Sequence, residues 1–370
     1  MSKSEVTFGP ELEKKLEKFG SNSDCGVSVG CILFAAETEL AKVPQDFFAQ
    51  LKQDLSSIEN VTELKIEGAD NRYGTIDYVI DPFDRKVRTF PHTIDSVIYY
   101  KIFIPFKVQD ELGFRCSKEH FEVFNVHHYN HAVTYIPYDG DGGGVWSSSN
   151  ALALVREYLK GKLADGEINI STVAPSPFHA DFRAVPSRAD GPIEETLTER
   201  NFRTFFYSYK QSSHNHLKPF IDIYGDVLAL YYQLEKAEDR SHTLRSSISD
   251  CVTKLLSDEI SVWRRFHSSG GIKANIDQIH KNVLEAKAQD KVILKSLERE
   301  ETGVEPRSFS DLEYFFRRIR RRVIEGDYSD ALSIAGVYEA RNRSFLQNSA
   351  VLFAGLFGGL LGALITASLN

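Results

Sequence analysis

The spacing of apolar positions changes twice along the chain, and the two changes divide it into three parts. In the first part the runs are short. A charged stretch at 1–19 contains a lead-in helix, Pro10–Phe19. GVSVGCILFA, from Gly26 to Ala35, is apolar enough for a strand central in a sheet. Phe47, Phe48, Leu51, Leu55 and Ile58 fall at helical spacing and predict a helix over Pro44–Ile58. Val61–Glu67 and Thr75–Ile80 read as short strands. SVIYYKIFIPFKV, Ser96 to Val108, is the strongest β signal, with Pro105 implying an edge or a bulge near its end. Phe121–Val126 and Ala132–Tyr138 are further strands, with HHYN between them as a turn. A helix over Asn150–Leu163 and strands over Glu167–Val173 and Asn201–Tyr209 complete the set, and 174–195 reads as an irregular crossing loop. Residues 20–210 are therefore expected to form a cytosolic α+β domain with a mixed sheet.

The second part begins at about residue 215. Val227, Leu230, Leu234, Ala237, Leu244, Ile248, Cys251, Leu255 and Val262 follow an a/d-like spacing, interrupted at Ser241 and Asp258. Ile276, Ile279, Val283, Ala286, Ile293 and Leu297 keep the same period. His267-Ser-Ser-Gly-Gly271 between them reads as a helix stop. The expectation is an antiparallel, coiled-coil-like helical hairpin over 215–301, standing as a stalk or else covering the sheet. Residues 308–346 read as basic juxtamembrane helices. Ser310-Asp-Leu-Glu313 is a capping box that starts the first of them. One face carries Leu312, Phe315, Phe316, Ile319 and Val323; the other carries Arg317, Arg318, Arg320, Arg321 and Arg322. That basic face either lies on an anionic membrane surface or is a solvated face pairing with Glu298, Glu300 and Glu301.

The third part is the hydrophobic end. No charged side chain occurs from Ser344 to Asn370. Residues 348–369 read as one transmembrane helix. Its core, Ala350–Leu369, is about 30 Å long as a helix, the thickness of a bilayer's hydrocarbon layer. A buried core helix is the alternative, though such helices seldom run this far without a polar face. Arg341 and Arg343 precede the span, which places the N-terminus and bulk of the chain on the cytoplasmic side. A single-pass, tail-anchored protein of this kind inserts after translation. Gly355, Gly358, Gly359 and Gly362 share one helix face as small-xxx-small pairs, a pattern that lets helix backbones approach closely. Membrane lipid is thus one expected partner, and a second copy of the chain, packed through this helix, is another. The Gly/Ala/Phe wording of AVLFAGLFGGLLGALIT also resembles that of membrane-perturbing fusion peptides.

Charge and cysteine usage narrow the rest. The net charge of −8 over 370 residues gives no global attraction to nucleic acid. Cys25, Cys31, Cys116 and Cys251 show neither a CxxC pair nor metal-like spacing and read as buried, reduced thiols. The N-terminus lacks the apolar h-region of a secretory signal.

Candidate chemistry is sparse. His127 and His131 with Asp139 are the densest set of metal-ligating types, and would form a di-histidine-carboxylate site if one strand ran through both histidines. Gly142, Gly143 and Gly144, with Ser147 ahead of a helix, offer a backbone cradle for a phosphate, but without a P-loop lysine. No GxSxG or HExxH signature appears, and no cofactor is specified. Three functions remain open: a stress or anti-phage sensor-effector whose terminal helix oligomerises and perturbs the membrane, a membrane-tethered metal-dependent or nucleotide-binding enzyme, and an adaptor that recruits a protein partner through the α+β domain.

Overall fold

The computed structural model describes residues 9–17, 25–39, 47–68, 77–80, 86–90, 96–128, 131–139, 148–164, 166–171, 180–187, 193–199, 202–210, 217–257, 262–301, 316–323 and 327–369. They fall in two compact units: Met1–Lys236 with Glu298–Arg317, and Ala237–Leu297 with Arg318–Asn370.

The first unit is built on strands. In order they are β1 (Cys25–Gly30), β2 (Leu33–Glu39), β3 (Val61–Glu67), β4 (Asp77–Ile80), β5 (Lys86–Phe90), β6 (Val97–Phe103), β7 (His120–His128), β8 (His131–Asp139), β9 (Ile168–Ser171), β10 (Ala180–Ser187), β11 (Ile193–Glu199) and β12 (Phe202–Lys210). Eight of them form a sheet ordered β11-β12-β10-β1-β8-β7-β6-β3, and four form a second sheet ordered β4-β5-β2-β9. Within the large sheet β10 and β12 pair in parallel, and its other pairings are antiparallel. The sheet is therefore mixed, as the sequence implies.

Alternation along β6, β7 and β8 sorts the core. Ile98, Tyr100, Ile102, Phe121, Val123 and Ile136 share a buried cluster with α2 (Phe47–Ser57) and α4 (Ser148–Lys162). Tyr99, Phe124 and Tyr135 are cross-strand neighbours of opposite parity and are also buried. Burial on both faces is why these strands are apolar without interruption. Burial first, then the carboxylates Asp226 and Asp222 of α5 (Leu217–Ser257), pushes the Tyr135 hydroxyl well above its ordinary pKa. The Cys31 thiol is pushed up to about 12 by burial, and Cys31, Cys116 and Cys251 are free and buried.

The chain leaves the large sheet for the small one at Cys31–Ile32, between β1 and β2. There the Ile32 backbone loses its ladder and is satisfied by two buried side chains. Ile32 N–H donates to Thr134 Oγ1 at 2.8 Å, and Asn125 Nδ2 donates to Ile32 O at 2.6 Å. At the far edge, α1 (Pro10–Glu17) is held by Lys15, which ion-pairs with Glu63 and donates to Tyr99 OH at 3.1 Å. Glu63 sits at a β3 irregularity with φ 51, a left-handed conformation uncommon for a side-chain-bearing residue. Lys15 and Lys101 hold its carboxyl down at about 2.

Several expectations are corrected. The strand expected to continue to Val108 ends at Phe103, and α3 (Phe106–Leu112) begins after Pro105. Proline cannot donate to a ladder but is well suited to a helix start. The buried Gln109 amide then ties the turn, donating to Ile104 O and Lys118 O, each at 2.9 Å, and accepting from Cys116 N–H at 2.9 Å. The region expected as a crossing loop contains β10 and the start of β11. Finally, α6 (Val262–Glu301) runs unbroken through the His267–Gly271 segment expected to be a turn. Two glycines cost a helix roughly 2 kcal/mol against alanine, less than the packing of the apolar stripe that follows them.

That stripe belongs to the second unit. Ile248, Cys251 and Leu255 of α5 meet Ile272, Ile276, Ile279, Val283 and Ala286 of α6 and Ala335 of α8 (Ser329–Leu369). Ser241 and Ser247 of α5 reach Asp290 and Asn282 of α6, so the two helices run antiparallel. The remaining helical segment, 316–323, is α7.

Candidate functional site

Helix α8 is the element whose chemistry stands out. Asp327 starts it, accepting from Ser329 N–H at 2.9 Å and from Ser329 Oγ at 2.8 Å. These bonds hold the Asp327 carboxyl below its ordinary pKa. Tyr328, the residue before the helix, is buried in a polar clamp. Arg245 Nε donates to Tyr328 OH at 3.1 Å, and Tyr328 OH donates to Asp290 Oδ2 at 3.0 Å. Ser241 Oγ donates to Asp290 Oδ1 at 3.2 Å, and Arg245 lies 3.6 Å from Asp290 Oδ2. All three helices are thereby pinned at one level. From there Ala331, Leu332, Ala335 and Tyr338 pack against the α5/α6 stripe.

Beyond Tyr338 this packing gives way. Val351 is 72% exposed, Leu352 67%, Leu356 63% and Leu364 63%. Phe353, Phe357, Leu360 and Leu361 are likewise exposed. Gly355, Gly358 and Gly359 are exposed too, and an added Cβ there would meet nothing within 4 Å. Gly362 lies on the same helix. Among the described residues this is the one helix long and apolar enough to cross a membrane, and none of its most apolar window is buried. Each Å² of such surface left in water costs about 25 cal/mol, which makes an aqueous state of this helix unfavourable.

The clamp was within reach of the sequence. Asp290 stands in the α6 series 276, 279, 283, 286, 290, 293, 297, and Ser241 interrupts the α5 series in the same way. Polar residues at such core positions fix register and partner. Tyr328 and Arg245 carried no comparable signal.

The other expected site residues are placed less cohesively. Register pairs His127 with Ala132, and His131 with His128. His127 is buried, 6.5 Å from the Phe48 ring. His131 and Asp139 stand at opposite ends of β8, about 27 Å apart at the rise of an extended strand. His127 and His131 thus stand on two strands, β7 and β8, and not on the one strand expected to carry both. Among the described residues no group of three or more His, Cys, Asp or Glu is placed to hold a metal ion. Gly142, Gly143, Gly144 and Ser147 lie outside the described residues.

In the arginine run, Phe316, Ile319 and Val323 are buried while Arg317, Arg321 and Arg322 are exposed and Arg318 and Arg320 half-buried. Arg322 ion-pairs with Glu238 of α5. Glu238 precedes Arg245 on α5, whereas the apolar part of α8 extends in the other direction from the clamp. Arg322 thus has a protein carboxylate as partner, at the end of the bundle away from the apolar stretch.

No protein-family model, curated protein or solved structure matches the chain.

Proposed function

We propose that this chain is a single-pass membrane protein anchored by α8, with the α+β unit and the helical bundle on the cytoplasmic side. In this reading the α+β unit is a sensor or regulatory module, and the membrane helix self-associates through Gly355, Gly358, Gly359 and Gly362 to perturb the bilayer, as in a stress or anti-phage effector. The observation that carries the reading is the bare apolar half of α8, continuous with a first half that is firmly packed. Arg341 and Arg343, just before the bare stretch, support the orientation. Open space around the glycines supports close approach of a second helix. The clamp at Tyr328 supports coupling, because it ties the root of the membrane helix to α5, which itself continues from the first unit.

Induced expression with a membrane-potential dye tests the effector claim. Depolarisation that disappears on removing 344–370 is expected. Unchanged polarisation, or full activity without those residues, would sink it.

A further inference from the structure

The polar clamp divides into a part that α5 and α6 make by themselves and a part that α8 brings. Asp290 of α6 accepts from Ser241 Oγ at 3.2 Å and lies 3.6 Å from Arg245, and both partners belong to α5. The α8 side adds Tyr328 alone. Its hydroxyl is 3.0 Å from Asp290 and 3.1 Å from Arg245 Nε, and the Arg245 guanidinium lies 5.8 Å from the centre of its ring. When Tyr328 withdraws, Asp290 keeps its cation and a hydroxyl donor, so no buried charge is left unpaired. The apolar packing divides in the same way. Ile248 and Leu255 of α5 and Ile272, Ile276, Ile279 and Val283 of α6 are large, buried aliphatic side chains. Helix α8 buries Ala335 against them fully, and Ala331, Leu332 and Tyr338 in part. Beyond Ala335, Ser349 is the one described residue of α8 that is buried, and it is small and polar. The Ser247–Asn282 bond joins α5 to α6 without α8, and Asp327 caps α8 through Ser329 without help from α5 or α6.

We infer that α8 is a latched arm. Its first half leaves the α5/α6 pair as a unit, with Tyr328 as the latch and the Arg245–Asp290 pair as a catch that stays formed in both states. In the closed state the clamp fixes the level at which α8 starts. Release frees that root while α5 and α6 stay paired. The arm gives the coupling proposed above a moving part; that role rests on the reading of α8 as a membrane helix, and the release itself does not. Release also uncovers a reporter. Ten residues along α5 from Ser241 and ten along α8 from Tyr328 place Cys251 and Tyr338 in one layer, about 15 Å from Asp290. Both belong to the stripe, and the Cys251 thiol is free and buried there.

Native-state hydrogen exchange and thiol alkylation of the full-length chain in detergent micelles test the arm, with peptide mapping to assign the label to Cys251. A short helix undocked in water frays readily, so its amide protection reports docking. The amides of 331–338 are expected to exchange through a smaller opening than those of 276–286, and Cys251 to be alkylated through that same smaller opening. Tyr328→Phe removes the hydroxyl and keeps the ring. It should speed α8 exchange and Cys251 alkylation about tenfold and leave 276–286 unchanged. One opening shared by 276–286 and 331–338, or a Tyr328→Phe effect that falls equally on both, would overturn the arm. If Tyr328→Phe does not fold, the wild-type chain in rising urea reads the same order. Loss of α8 protection and of Cys251 burial before α6 protection is expected, and simultaneous loss would overturn the arm. Carbonate extraction of the membrane-bound chain reads the α8 span separately.

Discussion

The claim that apolar surface holds α8 in a membrane can be put as an energy and removed by substitution. Eight large apolar side chains between Val351 and Leu364 are 53–72% exposed. At roughly −0.3 to −0.6 kcal/mol each for insertion, together they favour the membrane by about 2.5–5 kcal/mol. An arginine near the helix centre costs about 2.5–3.5 kcal/mol and also forfeits the leucine it replaces. Leu360→Arg alone should therefore bring insertion close to balance. Leu356→Arg with Leu360→Arg should oppose it by about 6–8 kcal/mol, more than the favourable total. Leu356→Ala with Leu360→Ala, which loses only about 1 kcal/mol, should still insert. The assay is translation in the presence of membranes, followed by carbonate extraction. The double arginine chain is expected in the supernatant and the double alanine chain in the pellet. Because Leu356 and Leu360 are 63% and 59% exposed, the thermal unfolding of the α+β unit and the helical bundle should not move. A double arginine chain that stays in the pellet would refute the reasoning, since apolar surface would not then be what holds it.

Four further outcomes follow from the packing. Arg245→Ala leaves Asp290 buried without its cation and should cost about 3 kcal/mol, read as faster hydrogen exchange in the first turns of α8; unchanged exchange there would remove the clamp from the account. Thr134→Val leaves Ile32 N–H buried without an acceptor and should lower stability by about 1–3 kcal/mol in urea unfolding; a neutral result would mean the sheet crossing is not held this way. Gly30→Ala places a Cβ 1.8 Å from Leu152 Cδ2 and should cost about 1–3 kcal/mol through overpacking, unless α4 yields, which an unchanged melting temperature would reveal. Glu63 is a depressed carboxyl, so its stabilisation is fully present above its unfolded value of 4.5 and is lost as pH falls toward about 2. Its half-exposed pairs limit the effect to less than about 1 kcal/mol. Glu63→Gln should flatten stability across that window, and an acid profile identical to wild type would contradict the assignment.

The sequence disclosed best what depends on a local property. The long apolar helix from Ser344 onward is legible because length and the absence of charge suffice to define it, and neither needs tertiary context. The two-sided burial of β6 is legible for the same reason, its seven residues being almost all β-branched or aromatic. What escaped depends on residues far apart in the chain. β10 owes its form to pairing with β1 and β12, while its own sequence, with Pro186 inside it, argues against a strand. The Gly270-Gly271 pair is a turn signal locally, yet α6 carries through it because α5 and α8 both pack on the stripe beyond. The hairpin stripe itself was read as serving two helices, when Ala335 and Tyr328 bring in a third. The interruption at Ser241 then changes meaning, from a flaw in a hydrophobic pattern to a residue that, with Asp290, fixes where α8 begins. His127 and His131 fall on two strands, β7 and β8, an arrangement that residue spacing alone could not show.

The most direct measurement is the fate of a glycosylation acceptor placed after Asn370 in chains supplied to microsomes once synthesis is complete. A spanning α8 with the bulk of the protein on the cytoplasmic side carries the acceptor into the lumen. The account therefore predicts a glycosylated product that resists carbonate extraction. An unmodified product released by carbonate would contradict it, and would return α8 to the status of a helix whose apolar surface is covered by protein.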